Sequence, residues 1–269
     1  MGEPLISPPR KVDNSGYLMP RYLTVLPVYN EAQHVTSVLD QVAKYSTDIL
    51  VVDDGSDDGS GELLAQRDDI DVLLHSENRG YGAALLSAFD YSIVHRYDIV
   101  VTIDCDGQHE PQRIANLVAG CKQADIVSGS RYLDQLGPTS HVPADRRQIN
   151  HQITAELNER LGLQLTDAFC GFKAYRTQSL AQLDLTETGY AMPLELWVQA
   201  AWHELQILEL PVPLIYLDQE RSFGGALDSA TTRVSYYRSI IDRAIRDCEA
   251  PAVFETDSQW CETTGWPCR

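Results

Sequence analysis

The amino-acid sequence predicts an α/β fold in which helices flank a central, mostly parallel sheet. Five short apolar runs between residues 22 and 129 alternate with helix-length segments, which is the pattern of βαβ units. A chain of 269 residues is long enough for one large domain of this kind. Acidic residues directly follow two of the apolar runs. Because ligands of such sheets bind beyond the carboxyl ends of the strands, the acidic residues mark the expected site.

The elements follow from apolar periodicity and from the turn residues between apolar runs. We predict strands at 22–28, 48–53, 70–75, 97–103 and 124–129. We predict the intervening helices at 31–45, 58–66, 80–95 and 111–121. The second half is expected to contain a helix at 144–161, a short strand at 171–175, a helix at 193–204, extended chain at 206–217 and an amphipathic helix at 230–248.

Composition narrows the possible functions. The net charge of −18 argues against binding to nucleic acid or to a broad anionic membrane surface. No apolar stretch reaches the roughly 18 residues of a transmembrane helix, and the first residues lack the apolar core of a secretory signal. The six cysteines have no zinc-type spacing, so we expect reduced thiols in a cytoplasmic protein.

The most informative motif is DCDGQH at residues 104–109, which directly follows the apolar run YDIVVTI. Side chains alternate along extended chain, so Asp104 and Asp106 are expected to point the same way from the strand end. Two carboxylates and the nearby amide oxygen of Gln108 suit a hard divalent cation, Mg²⁺ or Mn²⁺. Such a cation completes its coordination shell with phosphate oxygens. The motif therefore predicts chemistry on a diphosphate.

The end of the first strand also carries polar residues. The sequence LPVYNE at 26–31 places Tyr29 and Glu31 at the rim of the sheet. Pro27 lacks a backbone donor and therefore fits a strand end. The alternative is an ordinary strand-to-helix turn with Asn30 as the helix N-cap.

The second strand ends in DDGSDDGS at 53–60. We expect Asp53 to point into the cleft, where a carboxylate can bind ribose hydroxyls or base N–H groups. Asp54 and Ser56 are expected to cap the next helix. A paired-acid strand end also occurs in response-regulator receivers, which remain a competing interpretation of this motif alone.

A glycine-rich turn and several arginines complete the set of motifs. The segment NRGYGAA at 78–84 opens a helix, and its glycines permit close backbone approach to a phosphate. Arg131 follows the fifth strand, where an anion-binding role competes with that of a surface arginine. Arg146, Arg147 and Arg221 are further candidates for a second phosphate site.

Together these motifs resemble those of family 2 glycosyltransferases of the GT-A fold. The resemblance is carried by the segments 26–31, 53–60, 78–84, 104–111 and 129–131. Their order and spacing are most similar to the dolichol-phosphate mannose synthase branch. The resemblance continues through Arg147, the segment 167–173 and Glu195, and it covers about residues 21–225.

The resemblance implies a role for each matching residue. The nucleotide pocket would be formed by Pro27, Tyr29, Glu31, Asp53, Asp54 and Gly80, with Asp104 beside them. The cation and the donor diphosphate would be held by Asp104, Asp106 and Gln108. The acceptor phosphate would be bound by Arg131, Arg147 and Arg221. The catalytic candidates are Asp104, Asp106, Arg131 and Asp167.

The resemblance also implies a domain organisation. A GT-A domain is expected at 21–225, with a nucleotide-sugar-binding half at 21–131 and an acceptor half at 132–225. Outside this domain, composition and periodicity predict a flexible N-terminal arm at 1–20 and a C-terminal amphipathic helix at 226–248, which packs on the core or lies on a membrane surface. The acidic segment at 249–269 is predicted to be a tail or a partner-binding segment.

The sequence departs from the family pattern on the acceptor side. Thr154 stands where many members have asparagine, and Phe169-Cys170 replaces a commoner Thr/Ser-Ser/Cys pair. The loop at 221–225 lacks the usual Ser-Lys. The Glu-Asp and Gln-x-x-Arg-Trp signatures of polysaccharide-making relatives are absent, so we favour a phosphate acceptor.

The nature of the acceptor decides which groups the reaction needs. A phosphate monoester is largely ionised near neutrality, because its second pKa is about 6. It therefore needs positioning arginines rather than a protein base. A sugar hydroxyl would need a base, for which Asp167 and Glu195 are the candidates. The expected stereochemical outcome is inversion.

The main hypothesis is a metal-dependent transfer of a hexose from a GDP- or UDP-sugar to a polyprenyl phosphate, with peripheral contact at the inner face of a membrane. A second hypothesis keeps the donor but uses a soluble glycan or a small-molecule acceptor. Hypotheses from other classes are a non-catalytic nucleotide-binding module, a phosphoryl-signalling domain and a HAD-like phosphatase. Such phosphatases use a hydroxyl where this chain has Gln108.

Overall fold

The computed structural model describes residues 19–134, 144–215 and 225–250. Its strands are β1 (Tyr22–Val28), β2 (Ile49–Asp53), β3 (Asp71–Leu74), β4 (Ile99–Thr102), β5 (Ile126–Ser130), β6 (Lys173–Arg176) and β7 (Ile207–Pro211). Its helices are α1 (Val35–Val42), α2 (Ser60–Leu64), α3 (Tyr81–Val94), α4 (Ile114–Gly120), α5 (Ala144–Leu161), α6 (Thr177–Leu180), α7 (Met192–Trp202) and α8 (Ala230–Glu249). Short 3-10 helices cover Pro111–Arg113 and Gly225–Asp228.

These strands form one sheet in the order β3-β2-β1-β4-β6-β5-β7. Neighbouring strands are parallel except for β6, which runs antiparallel to both β4 and β5. The predicted α/β fold with a mostly parallel sheet is therefore confirmed. The reversed strand matters for function, because it brings the residues before β6 to the edge where β4 ends. There Thr102 pairs with Lys173, and the Thr102 hydroxyl donates to the carbonyl of Gly171 at 2.7 Å.

Helices cover both faces of the sheet. Because side chains alternate along β1, Val25 and Leu26 point to opposite faces. Val25 belongs to the apolar cluster that includes residues of α3, α5, α7 and α8, whereas Leu26 belongs to the cluster with α1 and α4. Trp197 of α7 is fully buried in the first cluster. The apolar surface removed from water on the two faces is the main stabilising contribution to such a fold.

Several element boundaries differ from the prediction for local reasons. Helix α1 begins at Val35 rather than near residue 31, because Asn30 has a positive φ of 55° and turns the chain. Strand β6 begins at Lys173, and the four-residue helix α6 was not predicted. No helix in the described parts of the chain is both long and apolar enough to cross a membrane.

Parts of the predicted domain organisation fall outside the described residues. Residues 1–18 of the expected arm and residues 251–269 of the expected tail lie outside the described residues, as does Arg221. The division of the domain at residue 131 stays a prediction. The expected C-terminal helix corresponds to α8, which packs on α5 and α7.

Candidate active site

The carboxyl ends of β1, β2 and β4 meet at one edge of the sheet, where a cavity of about 590 Å³ opens. The cavity is lined by residues from both halves of the chain. The site residues predicted from the sequence that line it are Pro27, Tyr29, Glu31, Asp54, Gly80, Asp104, Asp106, Gln108, Arg131 and Arg146. Asp53, Asp167 and Arg147 are described but are not among its lining residues.

The two carboxylates after β4 lie in this cavity together with Gln108. The backbone N–H of Gln108 donates to one oxygen of Asp106 at 3.0 Å, and its side-chain amide donates to the other at 2.9 Å. The turn that follows Asp106 contains Gly107, whose positive φ of 73° suits glycine. The motif therefore folds back on itself and holds the Asp106 carboxylate.

The carboxylate of Asp104 is held from three sides. The Tyr81 hydroxyl donates to its Oδ1 at 3.1 Å, and Nε2 of His109 lies 3.2 Å from its Oδ2. Gly171 closes the third side, because a Cβ at that position would lie 2.2 Å from Oδ2. No role was predicted for Tyr81 or His109. The sequence signal that could have identified them is their position inside the motifs NRGYGAA and DCDGQH.

The donor set fits a hard divalent cation. Asp104, Asp106 and Gln108 offer carboxylate and amide oxygens, which are the ligands that Mg²⁺ and Mn²⁺ prefer. Within the described residues, no group of three or more His, Cys, Asp or Glu side chains is arranged to hold a metal ion. Two carboxylates and one amide leave coordination positions for water and phosphate oxygens, as is usual for Mg²⁺.

The acidic pair after β2 is arranged differently from the prediction. Asp54 lines the cavity, and its carboxylate accepts hydrogen bonds from the backbone N–H groups of Arg79 and Gly80 at 3.0 and 2.7 Å. Asp53 instead accepts from the backbone N–H of Ser56 at 3.0 Å. The expectation that Asp53 points into the cleft while Asp54 and Ser56 cap α2 is therefore wrong in its geometry.

Asp54 also contacts a buried histidine. The Nδ1 atom of His75 lies 2.5 Å from Oδ1 of Asp54, and its Nε2 atom lies 2.9 Å from the hydroxyl of Ser87. The Asp54 carboxylate thus ties the end of β2 to the glycine-rich turn and to α3. This contact explains how two motifs that are distant in sequence form one wall of the cavity.

Arg131 and Asp167 form an ion pair at the cavity wall. Nε of Arg131 donates to Oδ2 of Asp167 at 2.6 Å, and Nη2 donates to Oδ1 at 2.9 Å. Asn150 donates to the same carboxylate at 2.8 Å. Burial alone would raise the pKa of Asp167, but Arg131 and the hydrogen bonds lower it to about 2. Asp167 is therefore a poor general base and serves to hold the guanidinium.

The other predicted base, Glu195, is engaged in a similar way. It is 2% exposed and accepts hydrogen bonds from the backbone N–H groups of Thr186 and Glu187 at 2.8 and 2.7 Å. It does not line the cavity. The structure therefore contradicts Glu195 as a general base and gives it the role of fixing the loop before α7.

Of the two α5 arginines predicted as candidates for a second phosphate site, one lines the cavity and the other does not. Arg147 is exposed, and its guanidinium lies near the ring of Tyr132, 6.0 Å from the ring centroid. Arg146 lines the cavity instead, together with Arg233 from α8. The helical period gave a usable signal, because buried Ile149 lies three residues after Arg146 and thus on the same face.

Comparison with known proteins decides the family. The family model "Glycosyl transferase family 2" matches residues 24–184, which is more than half of the chain. The chain belongs to glycosyl transferase family 2. It is therefore a glycosyltransferase, as the motifs predicted.

Relatives of this family 2 glycosyltransferase agree with the predicted branch. Undecaprenyl-phosphate mannosyltransferase of Micrococcus luteus is 30% identical over 226 residues, which cover 80% of this chain and 93% of the relative. Polyprenol monophosphomannose synthase of Mycolicibacterium smegmatis is 30% identical and covers 83% of this chain and 90% of its own length. The chain is thus similar to the dolichol-phosphate mannose synthase branch.

A solved structure confirms the GT-A fold. Glucosyl-3-phosphoglycerate synthase of Mycobacterium tuberculosis, in complex with Mn²⁺, UDP and glucosyl-3-phosphoglycerate, superposes with a TM-score of 0.65. The match covers 87% of this chain and 82% of the other, at 19% sequence identity.

One departure from the family 2 pattern has a structural explanation. The Thr154 hydroxyl donates to the side-chain oxygen of Asn150 at 3.0 Å and accepts from the backbone N–H of Ala168 at 3.2 Å. Asn150 in turn donates to Asp167. Thr154 therefore orients the amide that supports the Arg131–Asp167 pair.

A methyl group at Gly171 should disturb the carboxylate of Asp104. Because a Cβ would lie 2.2 Å from Oδ2, the carboxylate would have to move. For a cation that Asp104 would help to hold, we expect Gly171→Ala to weaken Mn²⁺ binding about tenfold, the lower end of the usual loss when the support of a metal ligand is disturbed. Calorimetric titration of the variant with Mn²⁺ measures the effect. Wild-type affinity would contradict the packing described here.

The ion pair of Asp167 should make stability depend on pH in acid. Its pKa falls from an ordinary 3.8 to about 2 in the folded enzyme. The ionised carboxylate therefore stabilises the fold above about pH 4, by about 2 kcal/mol, and this contribution is lost as the pH falls toward 2. We expect the difference in free energy of unfolding between the wild type and Asp167→Asn, measured with urea, to shrink by about 1 kcal/mol between about pH 6 and pH 3. A constant difference would contradict the lowered pKa.

Proposed function

We propose that this enzyme is a metal-dependent, inverting transferase that moves a hexose from a nucleotide-diphospho-sugar to a polyprenyl phosphate. The observation that supports the proposal most is the content of the cavity. It combines the carboxylate pair of Asp104 and Asp106 with three arginines, Arg131, Arg146 and Arg233. A cation at the carboxylates suits a donor diphosphate, and the arginines suit a second, acceptor phosphate.

The donor would bind at the carboxyl ends of β1 and β2. Tyr29 is 45% exposed and offers a face for a base, while Glu31 and Asp54 line the same wall. Gly80 opens α3 with a positive φ of 106°, so the backbone there can approach a ligand closely. GDP-mannose and UDP-glucose are the donor types that we propose.

The acceptor would occupy the side of the cavity that α5 and α8 form. The lining of the cavity combines the arginines with the largely apolar side chains of Phe169, Leu214, Leu227 and Tyr237. A lipid phosphate presents both a charged head and an apolar chain, so it matches this mixture. The names of the two 30%-identical relatives, an undecaprenyl-phosphate mannosyltransferase and a polyprenol monophosphomannose synthase, support the same acceptor class.

The cation would be Mg²⁺ or Mn²⁺, held by Asp104, Asp106 and Gln108. When bound, it would offset the charge that develops on the departing nucleoside diphosphate. Crystals of the structurally similar glucosyl-3-phosphoglycerate synthase contained Mn²⁺ or Mg²⁺, which supports the assignment.

The reaction would form a bond from the acceptor phosphate oxygen to the sugar C1 and break the bond from C1 to the diphosphate. Attack from the face opposite the leaving group would convert an α-linked donor into a β-linked product. Because a phosphate monoester has a second pKa of about 6, its oxygen is already ionised near neutral pH. This chemistry agrees with the structure, in which Asp167 and Glu195 hold other groups rather than a reactive proton.

A product assay tests the proposal. The enzyme, with Mn²⁺, is given radiolabelled GDP-mannose, UDP-glucose or UDP-N-acetylglucosamine and either polyprenyl phosphate in detergent or soluble acceptors. We expect label in the organic phase only with the polyprenyl phosphate. Label transferred only to a soluble glycan or small molecule would favour the second acceptor hypothesis and contradict this one.

The class of acceptor also indicates where in the cell the enzyme would work. Polyprenyl phosphates are membrane lipids, so we propose that the enzyme works at the inner face of a membrane through peripheral contact. Binding of the purified enzyme to vesicles with and without polyprenyl phosphate would test this. Equal binding to both would contradict a lipid-dependent contact.

A further inference from the structure

We propose that Tyr81 is a positioning residue that orients the Asp104 carboxylate toward the cation. The inference rests on the cation site of the proposed function. The geometry that carries it is the hydrogen bond of 3.1 Å from the Tyr81 hydroxyl to Oδ1 of Asp104. A hydroxyl can donate to one lone pair of a carboxylate oxygen and leave the others for a cation.

The fold fixes the position of Tyr81 through the backbone on either side of it. Gly80 has a φ of 106°, and a Cβ at that position would lie 2.4 Å from the carbonyl oxygen of Thr188. A Cβ at Gly82 would lie 2.4 Å from the carbonyl oxygen of Glu187. The two glycines therefore let the start of α3 pack directly against the backbone of the loop before α7. Ala83 N donates to Thr188 O at 3.0 Å and joins the two segments.

The ring of Tyr81 is held by the same loop. The ring of Tyr190 stacks on it, with centroids 5.8 Å apart and an angle of 17° between the planes. Stacked aromatic pairs add stability beyond that of their buried area. Tyr81 is thus fixed at its ring as well as at its backbone, which keeps its hydroxyl directed at Asp104.

The loop is anchored in turn to α8. Glu187 accepts hydrogen bonds from the Tyr236 hydroxyl and from Nη2 of Arg243, the latter at 2.8 Å. The Glu187 carboxylate also accepts from Gly189 N at 3.0 Å. These contacts lie beyond residues 24–184 that match the family model, so they are a feature that the family match does not describe.

The chemistry of the phenol suits a neutral donor. The Tyr81 hydroxyl can donate and the Asp104 carboxylate can accept, so the hydrogen bond between them has a defined direction. His109 contacts the other oxygen of Asp104 and packs against Phe172, with ring centroids 5.3 Å apart. Each carboxylate oxygen therefore has its own fixed neighbour, which leaves the carboxylate little freedom to rotate.

The test compares Tyr81→Phe with Tyr91→Phe. Tyr91 lies on the same helix and donates to Asp71 at 2.9 Å, so the control removes the same kind of hydrogen bond away from the cavity. Mn²⁺ affinity is measured by calorimetry, with Mn²⁺ alone and with GDP or UDP, and UDP or GDP binding is measured again in EDTA. The melting temperature of each variant in EDTA reports whether the fold is intact.

We expect Tyr81→Phe to weaken Mn²⁺ binding about tenfold, while Tyr91→Phe keeps wild-type affinity. Nucleotide binding in EDTA should be unchanged in both variants. Wild-type Mn²⁺ affinity in Tyr81→Phe would overturn the positioning role alone. A loss of nucleotide binding in EDTA as large as the loss of Mn²⁺ binding would also overturn it, because Tyr81 would then contact the nucleotide. A wild-type enzyme that binds no Mn²⁺ would overturn the cation site and the role of Tyr81 together.

Discussion

Replacing Asp106 with alanine should reduce turnover at least about a thousandfold while leaving the fold intact. The variant loses one of the two carboxylates of the proposed cation site and the acceptor of both hydrogen bonds from Gln108. A cation that offsets charge on a leaving diphosphate contributes several kcal/mol to the transition state, and about 1.4 kcal/mol corresponds to a tenfold rate change. Initial rates at saturating donor and acceptor, over a range of Mn²⁺ concentrations, measure the loss.

The matched control for this variant is Asp90→Ala. Asp90 is an exposed aspartate of α3 that does not line the cavity, so its removal changes the net charge equally. We expect wild-type rates from the control. Undiminished turnover of Asp106→Ala would contradict the assignment of this carboxylate to the cation.

Replacing Arg131 with alanine should impair the use of acceptor far more than the binding of donor. Two donors of its guanidinium bond to Asp167, and the group lines the cavity with a side chain that is 21% exposed. We expect kcat/KM for the acceptor to fall by about a hundredfold or more, since hydrogen bonds between charged groups contribute about 1.5–3 kcal/mol each. Donor affinity, measured by calorimetry with Mn²⁺, should change by less than about threefold.

Controls for Arg131 must separate binding from stability. Breaking a buried ion pair costs about 3–5 kcal/mol, because it leaves one charge unpaired. The double variant Arg131→Ala with Asp167→Ala removes both charges and should recover stability but not acceptor use. Equal losses of donor binding and acceptor use in Arg131→Ala would contradict separate phosphate sites.

The arginines of α5 offer a second comparison for the same assay. Arg146 lines the cavity, whereas Arg147 is exposed. Arg146→Ala should therefore lower acceptor use more than Arg147→Ala, which serves as a charge-matched control. A larger loss in Arg147→Ala would contradict the placement of the acceptor at Arg146 and support the role that the family resemblance implied for Arg147.

The sheet and its functional edge could be predicted closely from the sequence. Buried parallel strands are runs of apolar, often β-branched residues bounded by turn residues, and such runs have few alternatives. The first run was predicted at 22–28 and forms β1 over the same residues. Since the carboxyl ends of parallel strands share one edge, Asp104 and Asp106 had to reach the cavity once β4 was recognised.

The assignments that failed depend on which of two adjacent residues faces the site. Strand alternation stops where the chain turns, and Gly55, with a φ of 74°, turns it directly after Asp53 and Asp54. Apolar periodicity does not predict the direction in which the side chains of such a turn point. For Arg146 and Arg147 the helical period favours Arg146, because buried Ile149 lies three residues after it and on the same face.

The contacts that complete the site join segments far apart in sequence. Asp167 reaches Arg131 across 36 residues because β6 runs antiparallel between β4 and β5. Tyr190 reaches Tyr81 because the loop before α7 packs on the glycine-rich turn. A single sequence shows local patterns but does not show which distant segments contact each other. These contacts could therefore be identified only from the structure.

Donor binding with and without a divalent cation tests the central claim most directly. Calorimetric titration of the wild-type enzyme with GDP or UDP is carried out in Mn²⁺ and then in excess EDTA, and turnover is measured under the same two conditions. We expect turnover and tight nucleotide binding in Mn²⁺, no turnover and weaker but measurable nucleotide binding in EDTA, and recovery of both when Mn²⁺ is restored. Turnover that persists after complete chelation would contradict a cation at Asp104 and Asp106 as the group that offsets the charge of the leaving diphosphate.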